Sequence, residues 1–295
     1  MPKKLIYPIT TGRSGTVFLT ELFRQNVDAD DSTIFHERTG YPNFGVNTPD
    51  ASHLTTFNSV GNAPNVQEFF QNKLDADFRD KSSCHIEMSH FLCKAGLIEN
   101  LPVISDRASV HLVALKRDPF KVAWSFVNRF DFYNSGFTWL FSLDPRYSNV
   151  IIPSAPFLRF SMMGAAIWYV AEMFARIAYY RCLVAEEMPR VKWHEVSLET
   201  LIQPDGAAAF LDEMGFPAGE VNLPEKQNAS GANFFSDKQR EEAGSIFSQL
   251  WRDPEMMGTS FYRSGQRLAG SHKLELPKRR GSKVVRYSVA RAAGR

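Results

Sequence analysis

Eight residues near the N-terminus, Thr10-Thr11-Gly12-Arg13-Ser14-Gly15-Thr16-Val17, constrain this chain more than any other stretch. An apolar run, Leu5-Ile6-Tyr7-Pro8-Ile9, precedes them, and residues at helical spacing (Val17, Phe18, Leu19, Leu22, Phe23) follow. Strand, glycine-bearing turn and helix in that order bring several backbone N–H groups and a helix N-terminus to one small anion. Gly12 and Gly15 let the backbone approach a ligand closely. Ser14 and Thr16 add hydroxyls, and Arg13 adds a forked, charged donor suited to phosphate or sulfate oxygens. A nucleotide-hydrolysing loop reads G-x-x-x-x-G-K-[ST]; here no Lys follows Gly15 and the two glycines stand too close together. The dinucleotide pattern G-x-G-x-x-G also fails. The stretch reads as an anion grip without a magnesium seat. The plain alternative is a turn that uses glycine for its geometry alone.

Four further strands are expected: Ser32-Thr33-Ile34-Phe35-His36-Glu37, Ser83 to Met88, Val110 to Leu115, and Val191 to Val196. Val110 to Leu115 is apolar apart from His111, as a central parallel strand covered on both faces should be. Helical spacing covers Val66 to Phe78, Phe91 to Leu101, Phe120 to about Arg129, Leu198 to Met214 and Asp237 to Leu250. Phe157 to Met188 reads as one or two long helices. Residues 38–64 and 217–235 have loop chemistry. Strands alternating with helices predict an α/β fold of three layers, a central parallel sheet flanked by helices. Ligands of such sheets sit beyond the strand C-terminal ends, which gathers Arg13, Glu37, His90 and Arg117 along one edge.

At 295 residues, a single domain over 1–270 is expected, followed by a basic tail over 271–295 that carries Lys278, Arg279, Arg280, Lys283 and Arg286. The three cysteines, Cys84, Cys93 and Cys182, form no Cys-x-x-Cys pair and point to a reducing, cytoplasmic setting. The N-terminal apolar run is too short for a signal peptide. The best candidate for a membrane span, Met162 to Val184, carries Glu172, Arg176 and Arg181 and reads as a buried helix. A net charge of +2 gives no reason to expect nucleic acid as a partner of the core. An aromatic stretch follows the fourth strand: Phe130, Phe132, Tyr133, Phe137, Trp139, Phe141 and Tyr147. It is expected to wall an acceptor site, or to fill the space between helices.

Arg117-Asp118-Pro119 forms a second anion-binding pattern at the end of the apolar strand. Asp118 suits the helix N-cap and Pro119 the first helical position. Ser125 lies two turns on, and the helix N-terminus between them favours an anion. The two patterns together resemble the paired signatures of the sulfotransferase family, which uses 3′-phosphoadenosine 5′-phosphosulfate (PAPS). The resemblance assigns Thr11, Gly12, Arg13, Ser14, Gly15, Thr16 and Val17 to the 5′-phosphosulfate. It assigns Arg117 and Ser125, eight positions apart as in the family, to the 3′-phosphate. It implies a P-loop-like nucleotide-binding fold and no metal. Glu225 to Ser230 is similar to a family loop near the nucleotide, which adds Lys226, Asn228 and Ser230. Val191 to Leu201, with Phe210-Leu211, is similar to a late strand and helix of the family core. Many soluble members carry Lys in place of Arg13. Arg13 and Phe35-His36-Glu37 resemble instead the carbohydrate branch, whose acceptor hydroxyl belongs to a saccharide or glycolipid.

Sulfuryl transfer needs positioning, stabilisation of charge on the leaving oxygens, and a base for the acceptor hydroxyl. Arg13 suits the charge. Glu37 is the first choice for the base, His90 the rival and His36 the third. The corresponding structural readings are ion pairing of Glu37 with Arg38 or Arg13, and a helix-capping role for His90. The alternatives are a nucleotide or nucleoside kinase of related fold, a small-molecule (phenol or alcohol) sulfotransferase, and a non-catalytic module whose tail binds nucleic acid or an acidic membrane.

Overall fold

The computed structural model describes residues 2–38, 52–132, 143–216, 219–225 and 234–270. Five strands form one sheet: β1 (Lys4–Ile9), β2 (Ser32–His36), β3 (Cys84–Met88), β4 (Ser109–Lys116) and β5 (Lys192–Ser197). Their order is β2-β3-β1-β4-β5 and every pairing is parallel. The expected strands are all present, within a residue or two. The described helices are α1 (Thr16–Asn26), α2 (Ser52–Val60), α3 (Pro64–Arg79), α4 (Leu97–Asn100), α5 (Pro119–Asn128), α6 (Ala155–Leu158), α7 (Ser161–Glu187), α8 (Leu198–Leu201), α9 (Pro204–Glu213), α10 (Asp237–Leu250) and α11 (Pro254–Arg263).

Side-chain alternation along the strands builds two apolar cores, one on each face. Leu5, Tyr7 and Ile9 of β1 join Val110, Leu112 and Ala114 of β4 beneath α3, α5 and α7. Ile6, Val113 and Leu115 point the other way, onto Phe18, Leu19, Leu22 and Phe23 of α1 and Phe210 and Leu211 of α9. Helices thus cover both faces, and the strand C-terminal ends form one open edge. Ile9 is level with Ala114, His36 with Met88, and Ser197 with Lys116.

Local chemistry explains several helix ends. The Asp118 carboxylate accepts the Lys121 N–H at 2.7 Å, with Pro119 at the first helical position. Ser236 and Gln239 form a reciprocal capping box that starts α10. Gly215 follows α9 with φ 74°. Along α7, Glu172 and Arg176 are fully buried and paired at 2.7 Å. Glu172 also accepts the N–H groups of Ile151 and Ile152, at 3.0 and 2.8 Å. Among the described residues, no helix is long and apolar enough to cross a membrane.

Three expectations are corrected. The loop expected over 38–64 contains α2, whose Thr- and Asn-rich sequence hides an apolar anchor, the fully buried Phe57. Phe91 to Leu101 is not one helix. It is a 3₁₀ turn (Leu92–Lys94), then α4, then a second 3₁₀ turn (Leu101–Val103). Gly96, at φ 105°, breaks it, and a Cβ there would stand 2.8 Å from the Phe57 ring. Leu198 to Met214 divides into α8 and α9, because Pro204 has no N–H to carry a helix through from Thr200.

At the opposite end of the sheet, His111 of β4 stacks on His194 of β5, with Nδ1 3.0 Å from the His194 Nε2. His194 in turn meets Glu213 at 2.6 Å. Burial, with the neighbouring His194 and Lys192, pushes the His111 imidazole down to about 3. The fold therefore favours neutral His111, whereas the unfolded chain binds that proton near pH 6.5. The stability it contributes is complete above about pH 6.5 and is lost as the pH falls toward 3, by at most about 1.4 kcal/mol per pH unit. Urea unfolding at a series of pH values should show this slope, and His111→Gln should flatten it. An equal slope in the variant would assign it to other groups.

Candidate functional site

The anion loop leaves β1 and enters α1 through a backbone bent by its own sequence. Gly12 (φ 78°), Arg13 (φ 56°) and Gly15 (φ 99°) all adopt the left-handed conformation. Arg13 has a Cβ and is held there at a cost, a kind of strain that clusters at ligand-binding sites. Glu37, just past β2, is the second such residue on this edge (φ 53°). A Cβ on Gly12 would stand 3.1 Å from the His90 ring, and one on Gly15 would stand 2.6 Å from Leu198. The two glycines therefore set the loop directly against His90 on one side and the start of α8 on the other.

The loop is held from beneath. Thr11 Oγ1 lies 2.5 Å from the Ser14 hydroxyl, and Ser14 donates to the Gly12 carbonyl at 3.2 Å. Tyr169 of α7 donates its phenol proton to the Thr11 carbonyl. Thr16 Oγ1 meets His36 Nε2 at 3.2 Å, tying the start of α1 to the end of β2. Val17 is half-buried in the first turn of α1, where the leading N–H groups have no acceptor within the helix. Those donors face the strand edge.

The two anion patterns converge. Arg13 donates from Nε to the Ser125 hydroxyl at 3.2 Å, and Arg117 donates to the Arg13 carbonyl at 3.0 Å. Arg13 thus leans toward the second pattern. Burial, then the Arg129 guanidinium, make Arg13 easier to deprotonate than usual; Arg117 adds to this, and the Asp131 and Glu37 carboxylates oppose it. Arg129, one turn after Ser125, also meets Asp131 at 3.3 Å. Arg13 on the Ser125 hydroxyl, with the Arg117 and Arg129 charges acting on it, makes an electropositive corner that favours an anion with several oxygens.

On the same edge, Glu37 Oε1 lies 3.4 Å from His90 Nε2 and 3.9 Å from His36 Nε2. The rivals for the base are therefore neighbours. Burial, with the positive charges of Lys94, His36 and Arg13, holds His90 well below the usual histidine range, so its ring is neutral. Burial also lowers His36, against the opposing pull of Glu37. The edge therefore brings Thr11, Gly12, Arg13, Ser14, Gly15, Thr16, Val17, Glu37, His90, Arg117 and Ser125 into one site. Lys226, Asn228 and Ser230 lie outside the described residues, as do Tyr133, Phe137, Trp139 and Phe141. Of the aromatic stretch, Phe132 packs on Tyr169 at 5.5 Å between ring centres, and Phe130 meets Phe234 and Phe235.

Sequence reasoning missed Lys94, Tyr169 and Arg129. Arg129 was legible as the next helical turn after Ser125. Lys94, four residues after His90, looked like part of an apolar helix. Tyr169 lies mid-way along α7 and carries no local signal.

A second titratable cluster lies buried between β3 and α3. Asp77, His85 and Glu87 have ligand atoms within 4.8 Å of one another, a spacing a metal ion would accept. The Lys73 ammonium stands among them instead. It donates to Glu87 at 2.6 Å and to Asp77, and Tyr7 donates to Asp77 at 2.6 Å. A cation already faces both carboxylates, so the cluster reads as a buried ion network supporting the sheet.

Comparison with family models, with curated proteins and with solved structures yields no match.

Proposed function

We propose that this protein is a sulfotransferase that moves a sulfuryl group from PAPS to an acceptor hydroxyl, on a P-loop-like nucleotide-binding fold. One observation carries the reading. A strained glycine–arginine loop at a helix N-terminus, with Arg13 bonded to Ser125 and its carbonyl to Arg117, shares one strand edge with a glutamate–histidine pair. The corner suits a phosphate, the loop suits a second anion, and the pair suits a hydroxyl proton, all within one strand edge.

PAPS supplies an activated S–O bond when bound. The chain's residues divide the remaining work. Glu37 takes the proton of the acceptor hydroxyl as its oxygen bonds to sulfur. The bond from sulfur to the bridging oxygen breaks, and adenosine 3′,5′-bisphosphate leaves with the electron pair. Arg13 and the loop N–H groups stabilise the charge that grows on that oxygen. Arg117, Ser125 and Arg129 hold the 3′-phosphate. The Phe35-His36-Glu37 resemblance favours a saccharide or glycolipid hydroxyl as acceptor.

Titration calorimetry with adenosine 3′,5′-bisphosphate, with and without magnesium, tests the donor site. Tight binding that ignores magnesium is expected; binding of ATP in its place, dependent on magnesium, would favour a kinase. Labelled PAPS with a panel of saccharides, phenols and alcohols identifies the acceptor. Arg117→Ala should weaken adenosine 3′,5′-bisphosphate by about 1.5–3 kcal/mol, the range for hydrogen bonds to charged groups. Adenosine 5′-phosphosulfate, which lacks the 3′-phosphate, should change much less. Equal losses for both would place Arg117 in loop support alone, through its bond to the Arg13 carbonyl.

A further inference from the structure

Beneath the loop, a buried amine connects the two halves of the site. Lys94 ends the 3₁₀ turn that follows β3 and, like Tyr169, is fully buried; His90 is 7% exposed. Lys94 Nζ lies 2.8 Å from His90 Nδ1 and 2.6 Å from the Tyr169 hydroxyl. The Tyr169 proton goes to the Thr11 carbonyl, so the tyrosine oxygen receives a Lys94 N–H. A primary amine has at least two N–H groups in either charge state, one for the phenol oxygen and one for the imidazole. An Nδ1 that accepts leaves the ring proton of a neutral histidine on Nε2. That nitrogen is the one 3.4 Å from Glu37 Oε1.

We propose that Lys94 is a positioning residue that holds His90 in the tautomer carrying its proton on Nε2, turned toward Glu37. The proposal rests on the sulfuryl-transfer reading for its kinetic consequence alone. In this arrangement the His90 Nε2 proton lies on the Glu37 side, and the ring has no lone pair for the acceptor hydroxyl. Glu37 is then the base and His90 its orienting partner. The same amine links His90, through Tyr169 and the Thr11 carbonyl, to the backbone of the anion loop. Loop geometry and base orientation thereby share one buried support. Burial pulls Lys94 down to about 7, with Cys93 and Glu37 opposing and Arg176 adding to the fall. The ammonium can only donate to Nδ1, whereas the neutral amine also carries a lone pair, so the support is strongest below about pH 7.

Long-range ¹H–¹⁵N spectra of the full chain labelled in histidine read the tautomer directly, with His90→Asn assigning the signals. The expected result is a neutral His90 with Nε2 protonated and Nδ1 accepting a hydrogen bond. A proton on Nδ1, or an imidazolium at neutral pH, would overturn the proposal. Lys94→Met keeps the bulk and removes the donor. It should produce a mixture of both tautomers and lower turnover roughly tenfold, with adenosine 3′,5′-bisphosphate affinity within about twofold of the parent. An unchanged His90 spectrum in a folded Lys94→Met protein would also overturn it. Should that variant not fold, the spectrum of the parent protein still decides. That spectrum requires no turnover, so a protein inactive with PAPS but showing the Nε2 tautomer refutes the reaction and keeps the support.

Discussion

Glu37→Gln is expected to lower turnover by about 10²–10⁴-fold while nucleotide affinity stays nearly constant. Glutamine keeps the length and much of the hydrogen bonding of the side chain but cannot take a proton at neutral pH. Glu37 faces Nε2 of a neutral, buried His90 at 3.4 Å, so the charge most available to an incoming hydroxyl is its carboxylate. His90→Asn should cost less, through lost orientation of Glu37. Single-turnover kinetics with labelled PAPS, alongside calorimetry of adenosine 3′,5′-bisphosphate, separate chemistry from binding. If His90→Asn abolishes turnover and Glu37→Gln remains active, the base is His90, and the acceptor class shifts toward the phenols and alcohols of the soluble branch. A fall in affinity equal to the fall in turnover would instead place Glu37 in the fold of the loop.

Lys73→Met is expected to destabilise the protein by about 3–5 kcal/mol, the range for removing one partner of a buried ion network. Lys73 is 4% exposed and Glu87 not at all. Burial pulls the lysine down, but the Glu87 and Asp77 carboxylates outweigh it and raise its affinity for the proton. Burial likewise pushes Glu87 up, and the Lys73 charge with hydrogen bonds from His85 and Lys73 holds it well below the usual carboxylate range. Methionine at position 73 would leave two carboxylates facing each other in an apolar interior. Urea unfolding at neutral pH measures the loss. Adding Asp77→Asn and Glu87→Gln to the Lys73→Met protein should recover part of it, since the charges left unpaired are then gone. A loss below about 1 kcal/mol would mean that water reaches the cluster and screens it.

Much of the fold was legible because its signals are local. The apolar run before Gly12 and the helical spacing after it sit within twenty residues of each other. Asp118 and Pro119 mark the start of α5 without help from the rest of the chain. Elements whose apolar signal is sparse were less legible. α2 has Thr, Asn and Ser around Phe57, and only the packing of that ring reveals a helix. The break at Gly96 likewise follows from the closeness of the Phe57 ring, which no local pattern announces.

The sequence by itself determined the alternation of strands and helices, and with it the edge on which Arg13, Glu37, His90 and Arg117 would meet. Parallel strands send all their C-terminal ends the same way, so strand order was not needed to gather them. Only the tertiary structure decided how those residues face one another. It turned Arg13 toward Ser125, put His90 between Glu37 and Lys94, and brought Tyr169 from the middle of α7 to the Thr11 carbonyl, 158 residues away in sequence. Spacing along a chain encodes which face of an element a residue occupies. Contacts between elements depend on strand order, left-handed turns and close packing, which are properties of the whole molecule.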